Sequence, residues 1–237
     1  MPFDFQAENH AVEVRTNPFA TKFVCGAMPW FGDDLTLLAK ELLASRRIGC
    51  AIVGPHGTGK STLLENLAPA LGQVRIRLGP EGIAAESNSD GNLVWLQLRR
   101  GRAGDLAFSP WECIRQSKPH WCKGGILILD GYEQLYPWQR LRLLIRLQLS
   151  GMRLLATSHR HHLALQTILE TSVSDSIVHK VIGHLLRYCP EDQAAKEWLH
   201  AKAKQALLSH RGNLREALMD LYDCYRDREF LACREHV

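Results

Sequence analysis

The stretch Gly54-Pro55-His56-Gly57-Thr58-Gly59-Lys60-Ser61 constrains the fold of this chain more than any other. It fits the pattern GxxxxGK followed by Ser or Thr at every fixed position. Glycines at 54, 57 and 59 let a backbone turn sharply and bring its N–H groups up to phosphate oxygens. Lys60 is a point charge with reach to β- and γ-phosphates, and the Ser61 hydroxyl suits Mg²⁺. The following run, Thr62 to Leu67, reads as a helix whose N-terminus faces the same anion. Just upstream, Ile48 to Val53 is a short apolar run of the buried-strand type. Strand, glycine loop and helix in that order is the setting the pattern requires. The expected phosphate contacts are therefore Gly54, Pro55, His56, Gly57, Thr58, Gly59, Lys60, Ser61 and Thr62.

The 237 residues, 46% of them hydrophobic, suit one globular domain with a small appendage. A net charge of +4 is too weak to predict a nucleic-acid partner by itself. No apolar run approaches the roughly 20 residues of a membrane span, and the start of the chain lacks the layout of a secretion signal. Seven cysteines form no CxxC pair, and Cys50 falls inside a core strand. That usage predicts reduced thiols and a cytoplasmic location. His159, His161 and His162 are bunched without carboxylate or cysteine company, which reads as a polar loop rather than a metal site.

Taken in order, residues 1–15 show little periodicity. Asn17-Pro18-Phe19 and the stretch from Phe23 to Phe31 are aromatic and turn-rich. They read either as a segment packed across the core or as a wall of a base pocket. Asp33-Asp34 open a helix over Leu35 to Leu43 that ends near Arg46-Arg47. Gln73 to Leu78 alternates like a strand, Gly79 to Gly91 reads as a loop, and Leu93 to Leu98 reads as a further strand. Arg99-Arg100-Gly101-Arg102 reads as a solvated turn.

Ile126-Leu127-Ile128-Leu129-Asp130 places a carboxylate at the carboxyl tip of a buried strand, where ligands sit in open α/β sheets. With Ser61, Asp130 is the expected metal-holding residue. Glu133, three positions on, is placed either to polarise a water or simply in the first turn of the next helix. Trp138 to Leu149 forms a Leu- and Arg-rich helix that Gly151 ends. Arg153 to Arg160 is a core strand with polar residues at its tip. Ser158 and His159 there are neutral groups able to orient water or read a phosphate. Gln166 to Thr171 is a strand and Asp175 to Tyr188 a helix. Glu191 to Leu208 and Asn213 to Arg228 are amphipathic helices, the second with Asn213 as its N-cap.

These residues carry a family resemblance. The chain resembles P-loop NTPases of the AAA+ and STAND type: Gly54–Ser61 resembles Walker A, Ile126–Asp130 resembles Walker B, and Ser158 resembles sensor 1. His159 is similar to the switch histidine of ABC ATPases. Gly212-Asn213-Leu214-Arg215 is similar to the lid helix that carries a sensor 2 arginine. The resemblance implies an α/β fold with a parallel sheet flanked by helices and a short helical lid. It implies ATP and Mg²⁺ as cofactors, with Lys60, Glu133, Ser158, His159 and Arg215 as catalytic or sensing residues. One departure stands out: AAA+ proteins usually carry Glu directly after the Walker B Asp, and here Gly131 follows Asp130. No LSGGQ signature of ABC ATPases occurs.

The expected organisation is an N-terminal segment and helix over 1–47, a P-loop core over 48–189 and a helical region over 190–237. The leading expectation is an ATP-binding ATPase or ATP-driven switch. The alternatives are a small-molecule kinase and a nucleotide-gated, non-catalytic interaction module. Beyond ATP and ADP, a protein partner, a homo-oligomer and nucleic acid all stay open.

Overall fold

The computed structural model describes residues 17–20, 28–79, 82–86, 90–99, 109–187 and 193–234. The expectations for residues 1–15, Phe23 and Arg100-Gly101-Arg102 lie outside these residues.

Helix α1 (Leu35–Ala44) starts where the Asp34 carboxylate caps the N–H groups of Thr36 and Leu37. It is followed by β1 (Gly49–Val53), α2 (Lys60–Leu71), β2 (Val74–Gly79), β3 (Gly82–Glu86) and β4 (Leu93–Gln97). Next come α3 (Pro110–Ser117), β5 (Ile126–Asp130), a 3₁₀ turn (Tyr132–Gln134), α4 (Pro137–Ser150), β6 (Arg153–Ser158) and β7 (Gln166–Glu170). Three helices close the chain: α5 (Asp175–Leu185), α6 (Gln193–Ser209) and α7 (Leu214–Arg234).

The seven strands form one sheet in the order β3-β2-β4-β5-β6-β1-β7. Every pairing is parallel except that of edge strand β3 with β2. The loop expected over Gly79 to Gly91 is thus corrected: Gly82–Glu86 turns back and pairs antiparallel with β2. A second difference is α3, which the pattern of apolar residues did not disclose. Ser109 caps it through the Glu112 N–H, and Pro110 sits in its first turn.

Both faces of the central strands are buried, so alternation sorts their side chains into two cores. Ala51, Val53, Leu127, Leu129, Leu154 and Ala156 pack under α3 and α4. Cys50, Ile52, Ile126, Ile128 and Leu155 pack under α1 and α2. Each such Leu or Ile contributes about 1.5–3 kcal/mol of burial, which fixes the register. Val53 pairs with Ser158, and Leu129 with Ala156, so the strand tips line up along one edge.

A third core joins α5, α6 and α7 through Val178, Ile182, Leu199, Leu218 and Leu221. Phe19 and Met28 pack into it. The segment that carries them also holds the sheet domain: Asn66 of α2 donates to Met28 O at 3.0 Å and accepts from Trp30 N at 3.2 Å. Residues 28–30 therefore strap the helical bundle to the helix that follows the glycine loop.

Candidate nucleotide site

The glycine loop, residues 54–59, connects β1 to α2 at the carboxyl edge of the sheet. Thr58 pins it there, with its Oγ1 2.9 Å from Pro55 O and 2.7 Å from the Oγ1 of Thr171 at the exit of β7. Gly57 has φ +71°, and a Cβ on it would stand 1.8 Å from Asn213 Oδ1. Glycine is required here twice, by backbone conformation and by the close approach of α7.

Lys60 opens α2 and is only 8% exposed. Its ammonium donates to Gly54 O and Pro55 O, both at 2.6 Å, and lies 3.2 Å from His159 Nδ1. Partial burial pushes its pKa down, while the negative charges of Glu133 and Asp130 push it up. His159 Nδ1 is also 3.1 Å from Gly54 O, so the tautomer sets whether Nδ1 or Nε2 carries the ring proton. Its Nε2 lies 3.2 Å from Glu133 Oε1. Glu133 Oε2 is buried with no described partner. His56, in the loop itself, packs against His159 with ring centroids 3.7 Å apart and the planes tilted by 37°.

Ser61 Oγ donates to Asp130 Oδ2 at 2.8 Å. The other carboxylate oxygen, Oδ1, accepts from Thr157 Oγ1, which in turn accepts from Gly131 N at 3.0 Å. Thr157 was not singled out in the sequence, though a signal existed. It shares parity with Leu155, which faces α2, as Asp130 does with Ile126 and Ile128. Ser158 lies on the opposite face, fully buried, with Oγ 2.9 Å from His162 Nε2. The structure thus brings Lys60, Ser61, Asp130, Glu133 and His159 together, and turns the Ser158 hydroxyl towards His162.

Gly131 explains the departure noted after Asp130. Its φ is +97°, and a Cβ would stand 2.7 Å from Leu98 O. A glutamate at 131 is incompatible with this backbone, and the acid that reaches the site comes from Glu133 in the next turn.

Arg215 lies in the first turn of α7, where its backbone N is 3.2 Å from the position of a Cβ on Gly57. Its side chain is exposed. On the other flank of the loop, the Trp30 ring comes within 3.3 Å of the position of a Cβ on Gly59. Trp30 Nε1 is buried without a described partner. Trp30 also walls a cavity of about 530 Å³, shared with Phe31, Lys180, His184 and Arg187.

The fold is that of P-loop NTPases: parallel strands flanked by helices, with the glycine loop after β1. Among solved structures, the chain is similar to the ORC1 protein of Aeropyrum pernix in complex with DNA. The TM-score is 0.52 at 14% identity, over 85% of this chain and 60% of that one. It is also similar to Drosophila ORC bound to DNA, with a TM-score of 0.56 at 11% identity over 98% and 66% of the two chains. At such identities the likeness establishes the fold, and the chain spans less than two thirds of either neighbour's length. No family model and no curated protein sequence matches. Among the described residues, no helix is long and apolar enough to cross a membrane.

Proposed function

We propose that the protein binds ATP with Mg²⁺ at the glycine loop and acts as an ATPase or ATP-driven switch of AAA+ type. The observation that carries this reading is the convergence of Lys60, Ser61, Asp130 and Glu133 at one edge of the sheet from three separate elements. Ser61 and Asp130 fit a magnesium ion: both are hard oxygen donors, already within hydrogen-bond distance. A bound Mg²⁺ supplies charge neutralisation on the phosphate oxygens.

The other roles fall to the chain's own groups. Lys60 exchanges Gly54 O and Pro55 O for β- and γ-phosphate oxygens. His159 contacts Glu133 through Oε1, and Glu133 serves as the base that takes a proton from the attacking water. Thr157 fixes the Asp130 carboxylate, and Arg215 reaches the γ-phosphate from the lid. The pocket walled by Trp30, Phe31, Lys180 and His184 receives the nucleoside. Cys50 and Cys113, buried thiols whose pKa values burial raises, fit a reducing cytoplasm.

A second reading, a nucleotide-gated interaction module, is favoured by one observation: Glu133 Oε1 is engaged by His159. Phosphate release by the wild type and Glu133→Gln, with and without duplex DNA, separates the two. The ATPase reading expects turnover that falls about 100-fold or more in the variant while ATP still binds. Tight ATP binding with no turnover under either condition supports the module instead. Stimulation by DNA would point to a contact with DNA, which the two solved neighbours make in their own structures.

A further inference from the structure

Helix α4 buries Leu143 and Leu147 against the sheet, yet its outer face is also apolar. Trp138, Leu141, Ile145 and Leu149 are 57%, 61%, 50% and 82% exposed. Their spacing puts them on one side of the helix, along roughly 16 Å of its length. Isolated exposed apolar residues are ordinary, but a continuous stripe of this kind marks a contact surface.

The charged residues of α4 itself are all of one sign. Residues 137–150 contain three arginines and no acid. Arg142 and Arg146 both lie over the Trp111 ring, 5.5 and 5.2 Å from its centroid, and Trp111 lies 6.1 Å from Trp138. Lys118 joins this group: desolvation and then the charges of Arg146, Arg142 and Arg115 push its pKa down. Glu112, the acid nearest this group in sequence, is paired with Arg115 at 2.8 Å.

We propose that the outer face of α4 is a docking site for an amphipathic helix of a partner protein, apolar on one face and acidic along its flank. A stripe of three turns matches the i, i+3, i+7 anchors of a helix laid along another. An acidic flank complements Arg142, Arg146 and Lys118 and gives the contact its orientation. A second copy of this chain, related by a two-fold axis, would set these cations against their own counterparts. Duplex DNA would satisfy the cations but leave Trp138, Leu141, Ile145 and Leu149 in water. The proposal goes beyond the nucleotide site and does not depend on it.

The test uses two fluorescein-labelled helical peptides with the same leucine face, one flanked by Glu and the other by Lys, titrated by anisotropy against the full chain. The acidic peptide is expected to bind, more weakly as salt is raised, and the basic one not. Ile145→Asp and, independently, Leu149→Asp should weaken binding about tenfold or more, with wild-type melting temperatures. Arg142→Glu combined with Arg146→Glu should reverse the preference between the peptides. Equal binding of both peptides, binding of neither, or binding unchanged by both aspartates overturns the proposal. So does a dimer, seen by sedimentation, that Ile145→Asp dissociates. Duplex DNA held through Arg142 and Arg146 in place of the acidic peptide also overturns it.

Discussion

Ser61 Oγ lies 2.8 Å from Asp130 Oδ2, although 69 positions separate the two residues in the chain. The contact exists because β1 and β5 each border β6 in the sheet, so that the start of α2 and the tip of β5 meet at one edge. A hydroxyl and a carboxylate so placed would offer two oxygen ligands to an octahedral magnesium shell.

Asp130→Asn removes the charge but keeps the shape, and Thr157 can still bond the remaining oxygen. Affinity for ATP in the presence of Mg²⁺ should fall, while affinity in EDTA should change little. Calorimetric titration with and without the metal checks this. An unchanged dependence on Mg²⁺ would remove Asp130 from the metal site.

Gly131→Ala should destabilise the protein by about 1–3 kcal/mol, because alanine meets both a positive φ and the Leu98 carbonyl. Urea denaturation reads the effect as a lower midpoint at constant slope. A midpoint equal to wild type would mean that the turn relaxes and that the absence of an acid at 131 has no steric basis.

Much of this site was legible in the sequence because it is local. The glycine pattern, the apolar run before it and the aliphatic run ending in Asp130 each have a spacing set by backbone geometry. The antiparallel strand Gly82–Glu86 was hidden because pairing with β2 depends on a partner strand, and its turn-rich surroundings read as loop. Thr157 was passed over for Ser158 because the choice depends on which face of β6 looks towards α2. The approach of Asn213 to Gly57 joins residues far apart in the chain, and no periodicity reports it.

Arg215→Ala should lower the preference for ATP over ADP while leaving stability within about 0.5 kcal/mol, as for other exposed positions. The first turn of a helix is a poor place for a cation on dipole grounds alone, so a ligand gives the residue a reason to be there. Titration of both nucleotides into the variant decides the point. A wild-type ratio of affinities would make α7 a packing element only.

Stability should fall as pH drops through the ordinary histidine value of 6.5. Burial, then the Arg140 charge, lowers the His162 pKa, and burial likewise leads the lowering at His56 and His200. Between the folded and unfolded values the unfolded chain binds more protons. The contribution is therefore complete above pH 6.5 and is lost below it. Melting temperatures from pH 5 to 8 should show this slope, and His162→Gln should make it shallower. A slope unchanged in that variant would remove His162 from the account.

The most direct test of the nucleotide site is calorimetric titration of Mg-ATP into the wild type and a folded Lys60→Ala variant. The ammonium, at the start of α2, contacts two loop carbonyls and lies outside the apolar clusters, so its loss should act on binding rather than on the fold. The account predicts saturable binding by the wild type and a loss of about 100-fold or more in the variant. Absence of binding by the wild type, or equal affinity in the folded variant, would contradict it.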